Sequence, residues 1–177
     1  MRYNGIAKIL YTALFASLIA VCAFISIPFP IPLTMQLFAV FLSLMTLGGA
    51  YGSLSIIIYL CLGLLGLPVF ASFGSGIGYL LGASGGFVIA FPIAALLFFV
   101  LEKTLSKKES AKILYAFLSL AIIYAIGALW FSLVYANAAD FGEALLVCVL
   151  PYFLPDAIKI LLAYKISKRL KKINKFS

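Results

Sequence analysis

The chain has 177 residues, of which 66% are hydrophobic and only 10% charged, with a mean hydropathy of +1.22. That composition lies outside the range of soluble domains and predicts an integral membrane protein. The 13 Lys+Arg against 5 Asp+Glu give a net charge of +8, but the cations flank apolar runs instead of forming one basic surface, which argues against a nucleic-acid partner.

Segment one runs from Ile9 to Phe24 within "MRYNGIAKILYTALFASLIAVCAFIS". A basic start and an apolar run also describe a signal sequence, but this run is too long and lacks a small-x-small cleavage site, so it reads as the first membrane helix. Ala13, Ala16, Ala20 and Ala23 fall at three- and four-residue steps, a flat stripe suited to packing on another helix, internal or in another subunit. In "SIPFPIPLTMQ" the prolines Pro28, Pro30 and Pro32 cannot continue a helix and predict a stiff, extended loop. Segments two (Leu37 to Leu47) and three (Ser53 to Leu65) are joined by "GGAYG", a turn short enough to make them antiparallel neighbours. The uncharged, glycine-rich stretch "GLPVFASFGSGIGYLLGASGG" leads to segment four (Phe87 to Leu101), and the polar break "EKTLSKKESAK" to segment five (Ile113 to Tyr135). After "ANAADFGE" and a short apolar stretch, segment six starts near Pro155 and runs into a lysine-rich tail.

Six crossings put both termini on one side. That side holds Arg2, Lys8, the loop with Lys103, Lys107, Lys108 and Lys112, and the tail with Lys165, Lys168, Arg169, Lys171, Lys172 and Lys175, which is twelve of the thirteen cations. The three opposite connections carry no Lys or Arg and only Asp140 and Glu143, so the positive-inside rule predicts cytoplasmic termini.

Lys159 is the exception. With Pro155 at the first helical position, Asp156 falls in the first turn, near the positive end of the helix dipole. Lys159 shares its face and lies nine residues before Lys168, about 13 Å from the inner anchor at the helical rise. A charge at such depth costs at least ~2.5 kcal/mol and usually faces a cavity or pathway. Two readings stand: an i,i+3 ion pair that closes one helix end, or the polar anchors of a ligand site. The long Pro-, Gly-, Ser- and Thr-rich loops beside it favour a ligand.

Other chemistry is scarce. There is no His, and Cys22, Cys61 and Cys148 lie in apolar stretches without CxxC spacing, so neither a metal site, a disulfide framework nor a catalytic centre is expected. "GSGIGYLLG" lacks the GxGxxG spacing and a following GK[ST], which excludes nucleotide binding; Gly78xxxGly82 and Gly82xxxGly86 fit close packing instead. Trp130 and the tyrosines read as interfacial belts.

Four motifs in order, "PFPIPLTMQLFAVFL" (Pro28 to Leu42), "GLPVFASFGSGIGYLLGASGGF" (Gly66 to Phe87), "GALWF" (Gly127 to Phe131) and "FLPDAIK" (Phe153 to Lys159), resemble the BioY family, the biotin-specific substrate-binding (S) subunits of energy-coupling factor (ECF) transporters. The resemblance implies an all-α membrane protein, a single domain over residues 1–177 built as a bundle of six transmembrane helices in the cytoplasmic (inner) membrane. It implies a protein that takes biotin from the outer face, the loops after helices one and three closing over it, and that is not an enzyme and needs no cofactor. Asp156 and Lys159 would be the polar anchors: a carboxylate can accept from ureido N–H groups, and an ammonium can donate to the ureido oxygen or attract the valerate carboxylate. Phe70, Phe73, Phe87 and Tyr152 would hold the apolar parts, with Thr34 and Gln36 from the first loop and Ser72, Gly74 and Ser75 from the second completing the site. Family members often have a proline where this chain has Ala83 and a tyrosine where it has Phe87. The stripe of Ala13, Ala16 and Ala20 is similar to the face that docks on a transmembrane coupling (T) subunit, itself driven by ATP-binding cassette ATPases. The alternatives are an S subunit for another vitamin, or a biotin carrier acting without dedicated ATPases.

Overall fold

In so apolar a chain hydropathy cannot distinguish inside from outside, and breaks by Gly, Pro and polar residues set where helices end. The computed structural model describes residues 5–29, 31–106, 108–135 and 141–174; Arg2, Pro30, Lys107, Asp140 and Lys175 lie outside them. Helix α1 (Gly5–Phe24) stops before the prolines, whose loop folds back as a small antiparallel hairpin of β1 (Ser26–Ile27) and β2 (Leu33–Thr34), with Ser26 opposite Thr34. Then come α2 (Gln36–Leu47) and α3 (Gly49–Leu64), a one-turn 3-10 segment at Ala71–Phe73, and the short α4 (Gly76–Leu80). The chain continues through α5 (Gly85–Thr104), α6 (Ala111–Trp130) with a π turn at Phe131–Tyr135, α7 (Phe141–Cys148) and α8 (Leu150–Asn174).

The helices form a bundle around α2, which touches α1, α3, α5 and α8. Ala39 to Thr46 are consecutively buried, as expected of a helix that is apolar all round and enclosed by others. By length and composition α1, α5 and α6 can each cross a membrane, and α7 with α8 makes a fourth candidate span, bent by 48°. At 12 and 16 residues, α2 and α3 rise only about 18 and 24 Å, short of the ~30 Å of hydrocarbon.

Two expectations are corrected, and one left open is narrowed. Segment six does not begin at Pro155: α8 starts at Leu150, and it is Pro151 that occupies the first turn, where a missing N–H is tolerated. Asp156 is therefore nearly two turns inside the helix and gains little from its dipole, which acts over the first turn. The GGAYG turn shrinks to Gly48, at φ 81°, and α3 starts at Gly49 instead of Ser53. Finally, the alanine stripe of α1 is an internal seam. Ala16, Ala20 and Ala23 are buried in contact with the bundle while Ala13 is exposed, because small residues let α1 approach α2 and α3 closely.

Lys112 and Lys171 also depart from the simple pattern of solvated anchors. Lys112 is 5% exposed and its ammonium lies 2.8 Å from Glu102 and 3.4 Å from Glu109, which also pairs with Lys171 at 2.6 Å. Glu102 in addition accepts a 2.6 Å hydrogen bond from the Gly49 N–H. That bond satisfies an otherwise unpaired donor at the start of α3, and the cluster ties the ends of α3, α5, α6 and α8 together.

Candidate ligand-binding site

The spacing of Asp156 and Lys159 puts both side chains on one face of α8, and that face points into the bundle. They are 3% and 6% exposed, with Lys159 Nζ 2.7 Å from Asp156 Oδ1. The second carboxylate oxygen accepts a 2.7 Å hydrogen bond from the Tyr124 hydroxyl of α6. The pair thus bridges two helices and is more than the closure of one helix end.

Both charged groups line a cavity of about 60 Å³, room for roughly four waters at ~15 Å³ each and less than an organic ligand needs. A carboxylate has about four acceptor positions and an ammonium three donors. Among the described residues, Asp156 accepts two hydrogen bonds and Lys159 donates one. Unused capacity on a buried charge is costly, and a polar guest in the cavity would relieve it.

The roof is the proline strap. Tyr152, one turn before Asp156, donates a 2.6 Å hydrogen bond to the Ile31 carbonyl and meets the Phe29 ring edge-on at 6.5 Å. The Met35 N–H donates to the Ile25 carbonyl at 3.0 Å and closes the strap on itself. Thr34 and Gln36 line the cavity; the Gln36 amide donates to the Tyr59 hydroxyl at 2.9 Å, and the Gln36 N–H to Thr34 Oγ1 at 3.3 Å.

Phe87, in the first turn of α5, forms another wall, and its ring lies against Gly127 of α6 where any side chain would collide. Three residues on, Trp130 donates from Nε1 to the Gly82 carbonyl at 3.1 Å. The GALWF motif therefore seats the end of the glycine-rich loop: glycine makes room for the Phe87 ring and tryptophan pins the backbone. Trp130 has this structural task besides any place in a belt.

The second loop contributes differently from expectation. Ala71, Tyr79 and Ser84 line the cavity, whereas Ser72, Phe73, Gly74 and Ser75 lie outside its lining. Phe73 is 68% exposed and stacks on Phe24 at 4.6 Å, and Gly74 fits under the Tyr79 ring. Phe70 is fully buried one layer behind, stacked on Tyr79 at 4.9 Å and edge-on to Tyr59. Sequence reasoning missed Tyr124 and Tyr79. A signal existed for Tyr124: it sits far inside an apolar helix, whereas belt residues lie at the ends.

A helical membrane-type bundle with a buried ion pair facing a partly open cavity has the features of a solute-binding membrane protein. A profile of the BioY family matches residues 1–176, and the chain belongs to this family. It is 41% identical over 160 residues to the "Probable biotin transporter BioY" of Pyrococcus horikoshii, covering 90% of this chain and 93% of that one. It is 40% identical over 169 residues to the "Biotin transporter BioY" of Thermotoga maritima, covering 94% and 96%. Its fold matches a crystal structure of the S-component for biotin from an ECF-type ABC transporter, with a TM-score of 0.86 at 28% identity over 97% of this chain and 94% of that one. These are transport proteins, not enzymes.

Proposed function

We propose that this chain binds biotin from the extracytoplasmic side and mediates its uptake as the substrate-binding subunit of an ECF-type transporter. The observation that carries the proposal is the Tyr124–Asp156–Lys159 cluster, buried, joined across two helices and facing a cavity with unused hydrogen-bonding capacity. In this reading Asp156 and Lys159 are the polar anchors, Phe87 and Tyr152 hold the apolar body, and Thr34 and Gln36 approach from the strap. The cavity widens as ligand enters, and Ser72, Phe73, Gly74 and Ser75 come to the site only if the second loop moves inward.

In the same reading the chain is a single domain whose α1, α2, α3, α5, α6 and α8 make six crossings of the cytoplasmic membrane, with both termini cytoplasmic, and the short α2 and α3 complete their crossings with the hairpin before α2 and the loop after α3. The cations at the ends of α5, α6 and α8 support that orientation. ATP-binding cassette ATPases and a coupling subunit supply the energy, the latter docking on the outward face of α1 at Ala13, since Ala16 and Ala20 face inward.

Labelled biotin titrated against purified protein in detergent tests the site. Asp156→Ala and Lys159→Ala should each abolish binding in a protein that still inserts and folds. Unchanged binding in both refutes the assignment, and failure to insert restores the purely structural ion pair. Competition by other vitamins tests ligand identity.

A further inference from the structure

We infer that the C-terminal part of α8 carries a binding site for an anionic phospholipid, independent of the cavity and of the biotin reading. An open groove of about 670 Å³ runs along this end of the helix, lined by Leu162, Tyr164 and Ile166 and by four cations, Lys165, Lys168, Arg169 and Lys172. All but the half-buried Tyr164 are exposed. Their spacing stacks them along one side of α8, which changes from apolar to basic within about two turns.

Among the described residues no acid compensates the four charges. The acids at this end, Glu102 and Glu109, are already engaged by Lys112, Lys171 and the Gly49 N–H. Lys171 is thereby drawn inward, away from its neighbours. Among the described residues Lys165, Lys168, Arg169 and Lys172 make no ion pair. The groove thus offers apolar contact on its membrane side and concentrated positive charge at its end, the complement of an amphiphile with acyl chains and a phosphate. Free phosphate would leave Leu162 and Ile166 uncovered, and an acidic protein surface would have to displace lipid from them. Lys and Arg at such a boundary favour anionic lipid by about fivefold each, and their convergence in one groove turns a diffuse attraction into a saturable site.

The test uses the full chain in detergent, titrated with dioctanoyl phosphatidylglycerol or dioctanoyl phosphatidylcholine, with bound lipid read by native mass spectrometry. Phosphatidylglycerol should bind saturably and at least about tenfold more tightly. Lys165→Gln with Lys168→Gln should remove that preference, and so should Arg169→Gln with Lys172→Gln. Removing the same charge elsewhere at this end, by Lys103→Gln with Lys108→Gln, should leave it intact. Each variant is first shown to keep the parent's helical melting transition, and having two groove variants keeps the test decisive if one fails to fold. Equal binding of the two lipids would overturn the site and leave the groove to an acidic protein partner. Equal loss in the control pair would reduce it to a diffuse field, and full displacement of the lipid by millimolar inorganic phosphate would make it an ion site.

Discussion

Two ion clusters sit at different levels of this bundle, one buried and one half-buried around the buried Lys112, and they are built differently. The deeper one, Asp156–Lys159 with Tyr124, adjoins a cavity and leaves donors and acceptors unused. The other, Glu102–Lys112–Glu109–Lys171, closes on itself and on the backbone, with Lys112 also directed at the Met45 carbonyl at 3.5 Å and Glu102 accepting from Gly49. The first is arranged to receive something; the second fastens helix ends. Burial of charge therefore does not identify a site by itself. What distinguishes a site is buried charge left with hydrogen bonds to make beside an open volume.

Neutralising each cluster's lysine without changing side-chain length breaks the comparison most directly. Lys159→Met should weaken biotin binding by more than about thirtyfold, the scale for unpairing a buried, ligand-facing charge. Lys112→Met should instead cost about 3 kcal/mol of stability and leave the biotin dissociation constant within about threefold. Thermal unfolding and biotin titration of both variants in the same detergent check this, and similar profiles for the two would erase the distinction. A smaller effect is expected for Tyr124→Phe, which deletes one hydrogen bond to a carboxylate worth about 1.5–3 kcal/mol. Biotin affinity should fall roughly tenfold or more, with insertion unaffected.

The smallest equilibrium effect is expected where the strap is fastened. Tyr152→Phe keeps the ring and loses only the bond to the Ile31 carbonyl, worth about 0.5–1.5 kcal/mol. Association and dissociation of biotin should both accelerate by about two- to tenfold with little net change in affinity, as stopped-flow Trp130 fluorescence would show. Unchanged rates would mean that Tyr152 is wall and not latch.

Some of this was legible in the residues. The proline strap, the helix-breaking glycines and the lysine within an apolar segment are all visible there, because each violates what an apolar helix tolerates. Other features were silent for physical reasons. The start of α8 is ambiguous because Pro151 and Pro155 both signal a helix start, and the helix takes the earlier one. Ala13, Ala16 and Ala20 show a stripe but not its partner, since small residues suit an internal seam and a docking face equally. Lys112 reads as an interfacial anchor because its nearby acids, Glu102 and Glu109, sit in a polar break whose fold the sequence does not give, and only the packing of α5 on α6 buries the group. Ser72 and Ser75 have the right chemistry in the right loop, but it is Ala71 of that loop that lines the cavity.

Composition and local pattern by themselves determined that this chain is a helical membrane protein, where most helices break, and that one aspartate and one lysine lie where lipid excludes charge. These follow from terms that act residue by residue, namely transfer free energy and backbone conformation. Only the tertiary structure decided that α2 is the enclosed helix, that Tyr124 completes the cluster, and that one buried lysine has a single partner while the other has three. In a chain apolar on nearly every face, packing chooses the neighbours, and neighbours distant in sequence decide which charges stay unsatisfied.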